Sequence, residues 1–326
     1  MPSIISRVIY GQLKLARPIL NHLDLEDSRK YQDMLGEMGA KALKNRVGYR
    51  IEPFEHFEAE MAFPLLFKDN EKNQEKTENY SDTNDIQGVK CGGYAVLYLH
   101  GGSYTSGSLQ YARGFGGILA DALQCEVLCA AYRLAPEFPF PAAINDAAEA
   151  YVRLLERYPA DKIAVAGESA GGGLTLALTA KLKKDGLPLP ACIVLISPWT
   201  DLTFSGASYE KNRDADPTLS EASLRYSATL YRGQYVPTDP YISPVFADMR
   251  GFPPALIFAG TEEILMDDAA AAANRMRECG AKAEYQTKEG MWHAYVLYPI
   301  PEAKEAIEKI VTFIKTNIKE KLADYE

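Results

Sequence analysis

Histidine is scarce, tryptophan nearly absent, long apolar runs are missing and basic residues are outnumbered. Each shortage removes a class of protein. The four histidines (His22, His56, His100, His293) stand far apart, so no two read as a metal site. Five cysteines (Cys91, Cys125, Cys129, Cys192, Cys279) form an odd, scattered set without a C-x-x-C pair. That excludes a disulfide framework or zinc ribbon and leaves reduced, mostly buried thiols in a cytoplasmic protein as the expectation. Nothing approaches the roughly 18 consecutive apolar residues of a bilayer span. Arg7, Lys14 and Arg17 interrupt the apolar start and no small-residue cleavage site follows, so no secretory signal is expected. With 35 Lys and Arg against 44 Asp and Glu, the net charge of −9 repels phosphate backbones, and no nucleic-acid partner is expected. A hydrophobic share of 47%, with 24 Gly and 19 Pro, excludes disordered and collagen-like chains. At 326 residues the chain exceeds the usual single core, which predicts one large α/β domain with an appended piece.

What is present is an alternation of short buried runs and helical stretches, with no internal repeat. In residues 1–50, Ile5, Val8, Leu15 and Ile19 recur at helical spacing, with Pro18 as a kink; this reads as one or two amphipathic cap helices, or alternatively as a surface docking on a membrane or partner. Residues 54–67 read as an early strand and the polar stretch 69–88 as a mobile loop. From residue 94 onward, apolar runs at 94–99, 126–132, 162–166, 191–196 and 255–259 read as buried strands, followed by one more at 283–287. Helices are predicted near 110–123, 142–157, 171–185, 268–279 and 301–321. Strands alternating with helices imply parallel βαβ units, hence a mostly parallel doubly wound sheet. Residues 203–235 break the alternation and read as a cap insertion, leaving 51–326 as the catalytic domain.

Gly167-Glu168-Ser169-Ala170-Gly171 follows a buried strand and opens a helix, the context of a G-x-S-x-G nucleophile elbow. A serine on so tight a turn takes strained backbone angles and faces the positive end of the following helix. His100-Gly101-Gly102-Ser103-Tyr104 follows another strand. Its glycine-rich backbone can converge on a developing oxyanion, Gly101 and Gly102 donating two bonds and Ala170 a third. Serine needs a base, and only His293 lies after the last strand, as the order serine, acid, histidine requires. His100 reads as structural, fixing the oxyanion loop through its ring. The acid belongs to the segment 260–268, where Glu262, Glu263 and Asp267 compete; Asp267 and Asp268 also read as N-caps of the next helix.

Taken together, HGGSYTSGS (100–108), YRLAPEFPFPAAINDAAEAY (132–151), GESAGG (167–172), SPWTDL (197–202), SPVF (243–246) and FPPALIFAGTEEILMDDA (252–269) resemble the hormone-sensitive-lipase family of α/β-hydrolases, over about residues 90–320. The resemblance implies an α/β-hydrolase fold with a helical cap, Ser169 as nucleophile, His293 as base and Glu263 as acid. The family often has Gly at the place of Ser103 and Asp or Thr at that of Glu168. A serine carboxylesterase for short acyl esters is the expectation, with Tyr104, Trp199 and Trp292 lining the substrate pocket and no metal or organic cofactor. The alternatives are an amidase, peptidase or lactone hydrolase with the same triad, or a non-catalytic ligand-binding protein. The partner is a small-molecule ester; monomer and homo-oligomer both stay open.

Overall fold

A computed structural model describes residues 1–20, 23–65 and 93–318. Eight strands form one sheet: β1 (Val47–Pro53), β2 (Glu58–Pro64), β3 (Ala95–Leu99), β4 (Glu126–Ala131), β5 (Ile163–Glu168), β6 (Cys192–Ile196), β7 (Ala255–Gly260) and β8 (Ala283–Lys288). The order is β1-β2-β4-β3-β5-β6-β7-β8; β2 is antiparallel to both its neighbours and every later pairing is parallel. The helices are α1 (Ile4–Leu20), α2 (Leu25–Ala42), α3 (Leu109–Leu123), α4 (Ala142–Leu155), α5 (Ala170–Lys184), α6 (Ser208–Lys211), α7 (Glu221–Arg232), α8 (Met266–Glu278) and α9 (Pro301–Asn317). None of them is long and apolar enough to cross a membrane, among the described residues.

The central strands are apolar along most of their length, Glu126 opening β4 and Glu168 closing β5, because both faces of the sheet are covered. Side chains alternate between faces, so Leu97, Val165, Leu195 and Ile257 enter one layer with Ile144 of α4, Leu174 of α5 and Ala272 of α8. Tyr98, Ala166, Val194 and Phe258 enter the other with Leu119 of α3 and Ile310 of α9. Parallel strands bring their carboxyl ends to one edge, so the residues after Leu99, Glu168, Ile196 and Gly260 meet there.

Three readings of the N-terminal part are corrected. Residues 54–67 are not one strand: β2 is shorter, and Phe54 stacks on Phe57 in the turn before it, 4.4 Å between centroids. The strand β1 escapes the pattern because it is an edge, carrying Gly48, Arg50 and Glu52 where buried runs carry aliphatics; it crosses residue 50, so the helical part ends at Ala42. In α1 the periodic Ile5, Val8, Leu15 and Ile19 face outward, and Ile9, Tyr10 and Leu13 pack inward. The helix runs through Pro18 to Leu20. The 69–88 loop and residues 319–326 lie outside the described residues, and the last helix is described to Asn317. Cys125, Cys129 and Cys192 are buried, and Cys279 is half-buried.

Candidate active site

Ser169 sits between β5 and α5 at φ 54°, ψ −122°, without capping its helix through its side chain. For a residue with a Cβ this backbone costs about 1–3 kcal/mol and persists only where the surroundings enforce it. They do so by hydrogen bonds on both sides: its N–H donates to Ile196 O at 2.9 Å, and its carbonyl accepts from Trp199 N–H at 2.9 Å and Gly173 N–H at 3.1 Å. The loop after β3 lies directly against it. A Cβ on Gly101 would stand 2.9 Å from Glu168 Oε1 and 3.0 Å from Ser169 Cβ, so a larger residue there would have to displace its neighbours.

His293 reaches the same edge from the loop after β8. Its Nδ1 lies 3.2 Å from Glu263 Oε2, and Glu263 Oε1 accepts Gly260 N–H at 3.1 Å. Both side chains are buried. Burial pushes the Glu263 carboxyl up, and the bond and charge of His293 pull it back down. With Nδ1–H turned to the carboxylate, Nε2 is the nitrogen left to accept a proton. The other acidic residues point elsewhere. Glu262 lines a small cavity with Arg7 and Tyr10, and Asp267 accepts Ser208 N–H. Asp268 accepts Thr200 N–H and Asp201 N–H, so neither aspartate caps α8, whose N-cap is Leu265.

The acid turn is fastened to the histidine loop by Glu262 N–H to Met291 O (2.9 Å) and Gly290 N–H to Thr261 Oγ1 (2.8 Å). Asn212 Nδ2 donates to Glu263 O at 2.8 Å from the insertion. A Cβ on Gly260 would stand 2.2 Å from Met291 O. Gly260→Ala should therefore destabilise the fold by about 1–3 kcal/mol, lowering Tm by several degrees in a thermal melt; an unchanged Tm would contradict the close approach.

Ser197, the first residue of SPWTDL but given no role from the sequence, links the Ser169 turn to the His293 loop. Its Oγ accepts Ala294 N–H at 3.0 Å and its hydroxyl also faces the Glu263 carboxylate, while the residue before it holds Ser169 N–H. Its φ of 47° shows that the turn is forced. Ser169 Oγ itself makes no hydrogen bond to His293 among the described residues. In unliganded sites such bonds are commonly long and close on the substrate complex.

The glycine loop corrects one expectation. Gly101 N–H is not free for an oxyanion: it donates to Glu168 Oε1 at 2.5 Å. The amides of Gly102, Ser103 and Ala170 have no such acceptor among the described residues. Ser103 and Tyr104 both take positive φ, 56° and 63°, in this turn. His100 Nδ1 bonds Gly101 O at 2.7 Å and its ring stacks on Tyr132 at 4.4 Å. Burial drives its pKa down to about 4, so it stays neutral at working pH. From the other side, Arg29 of α2 donates to Thr105 O and Ala135 O and pairs with Glu137, tying α2 to this loop.

The three aromatics do not form one wall. Tyr104, stacked on Tyr231 at 3.7 Å, and Trp199 are buried in the layer with α5. Trp292 is buried in the opposite layer against Tyr10 and Tyr298, because adjacency to His293 in the chain turns the next side chain away from the site. Among the described residues no group of three or more His, Cys, Asp and Glu could hold a metal ion.

Burial pushes the Glu168 carboxyl up to about 7 from the usual 4.5, against the opposing hydrogen bonds of Tyr98, Gly101 and Tyr111. Between those values the unfolded chain is ionised while the folded one keeps the proton, so this group's contribution to stability falls as pH rises through that window. Relative to Glu168→Gln, the wild type should lose roughly 3 kcal/mol between about pH 4 and pH 8, read from urea unfolding at both. A difference independent of pH would contradict the burial of this carboxyl.

A family model described as the alpha/beta hydrolase fold matches residues 96–297. An acetyl-hydrolase of Streptomyces hygroscopicus is 41% identical over 234 residues, 71% of this chain and 78% of that protein. An esterase of Acinetobacter venetianus is 34% identical over 223 residues, 67% of this chain and 73% of the relative. Among solved structures, an esterase from the bacterial hormone-sensitive lipase family superposes with a TM-score of 0.84 at 32% identity, covering 98% of this chain and 100% of that one.

Proposed function

The chain belongs to the α/β-hydrolase fold family, in the branch of the bacterial hormone-sensitive-lipase esterases, and from that premise we propose a serine carboxylesterase that cleaves short-chain acyl esters through an acyl-enzyme. The observation that carries the reading is the buried Glu263–His293 pair, fastened through Ser197 to the turn that holds Ser169.

His293 Nε2 takes the Ser169 proton as Oγ attacks the ester carbonyl. Glu263 holds Nδ1–H and stabilises the imidazolium. The tetrahedral oxyanion is met by the amides of Gly102 and Ser103 and by Ala170 at the positive end of α5. Collapse expels the alcohol, which leaves with the proton from His293. Water, deprotonated by the same nitrogen, then attacks the acyl carbonyl and frees Ser169 and the acid.

Tyr104 and Trp199 pack against the first turn of α5: a Cβ on Gly173 would stand 2.1 Å from Trp199 O and 3.1 Å from the Tyr104 hydroxyl. Bulk so close behind the nucleophile favours a shallow acyl site. Rates on p-nitrophenyl esters from acetyl to dodecanoyl test this. The expected kcat/KM is highest between acetyl and hexanoyl and falls beyond; an optimum at decanoyl or dodecanoyl contradicts the short-chain assignment.

A further inference from the structure

The acidic residue of the G-E-S-A-G turn has no part in the triad, yet it is buried and satisfied by three donors. Glu168 Oε1 accepts Gly101 N–H at 2.5 Å and the Tyr111 hydroxyl at 3.0 Å, and Oε2 accepts the Tyr98 hydroxyl at 2.6 Å. The other end of the same peptide unit is held as well: Tyr132 OH donates to His100 O at 2.6 Å. One residue on, Gly101 O is engaged by the His100 ring. The 100–101 peptide is thus clamped at its carbonyl by the residue that follows β4 and at its N–H by the residue before Ser169, and the next two amides inherit their direction from it.

Resting on the esterase reading above, we propose that Glu168 is a positioning residue that fixes the oxyanion loop to the nucleophile turn by holding Gly101 N–H, so that the Gly102 and Ser103 amides point at the reacting carbonyl. Residues 168 and 169 are consecutive, so one rigid strand end sets both the attacking atom and the loop that must meet the charge it creates. Holding an ionisable group there at a cost in stability fits a role in positioning rather than in packing. The carboxylate touches no substrate atom in this scheme; it acts through the peptide it holds.

Backbone amide hydrogen exchange on the wild type, read by NMR on protein carrying ¹⁵N-glycine and ¹⁵N-serine, tests the contact without any substitution. The Gly101 amide should exchange slowly in the free enzyme, and the Gly102 and Ser103 amides quickly until phenylboronic acid adds to Ser169 and protects them. Gly101 becoming protected only with the boronate would make it an oxyanion donor and overturn the proposal. In kinetics, Glu168→Ala should lower kcat by about tenfold or more with KM little changed, and weaken phenylboronic acid in parallel. Glu168→Gln, whose amide oxygen can still accept Gly101 N–H, should recover most of kcat. A folded Glu168→Ala variant with wild-type kcat would overturn the role. Fluorophosphonate labelling of wild-type Ser169 separates the two levels: a labelled enzyme with the contrary exchange pattern removes only the role of Glu168, and an unlabelled one removes the esterase reading with it.

Discussion

Replacing Ser169 with alanine should lower kcat on p-nitrophenyl acetate by about 10⁶-fold, to the level left by binding and the oxyanion amides alone. The hydroxyl is removed and nothing else: the backbone of residue 169 is fixed by bonds to Ile196, Trp199 and Gly173, none of which uses the side chain. The variant should therefore fold, and circular dichroism with a thermal melt beside the kinetics checks that. Activity above a tenth of the wild type would reject this nucleophile. A loss of activity with an unchanged melt is the outcome the geometry requires, because no other serine occupies the head of α5.

Glu263→Gln should lower kcat by about 10³–10⁴-fold with KM nearly unchanged. The two side chains are nearly the same shape, so the buried site keeps its volume. The glutamine oxygen can go on accepting Gly260 N–H, which turns its NH₂ toward His293 Nδ1. That nitrogen must then be the acceptor, the ring proton moves to Nε2, and the base can no longer take the serine proton. The same substitution at Glu262, whose side chain faces a cavity on the α1 side, should leave kcat within about twofold. Equal losses at both positions, measured by steady-state kinetics, would contradict the assignment of the acid.

Much of the sheet was legible because its central strands are buried on both faces and therefore read as apolar runs. The edge strand β1 was not, since an edge exposes one side and its Arg50 and Glu52 serve ion pairs with Glu126 and Arg157 rather than a core. In α1 the period of the apolar residues was readable, but not which stripe faces inward; Tyr10 OH donating to Ala215 O and Arg17 donating to Arg213 O decide that, and both are contacts across some 200 residues. At the site, Ser169 and His293 were read as candidates from motif and chain order, and Glu263 was singled out from its neighbours only by the resemblance. Gly101 could not be told from Gly102 as a donor, because the difference lies in the Glu168 side chain arriving from another strand. Ser197 lies in the SPWTDL stretch, but its role was not legible: its meaning is a bond to Ala294, 97 positions away.

The most direct measurement is acid-quenched mass spectrometry of the protein during turnover of p-nitrophenyl acetate. The expected result is one acetyl group per chain, mapped to the peptide containing Ser169, appearing with the nitrophenol burst and decaying when substrate is exhausted. Acetate release with no acylated peptide, or acylation confined to another residue, would contradict a covalent intermediate on Ser169.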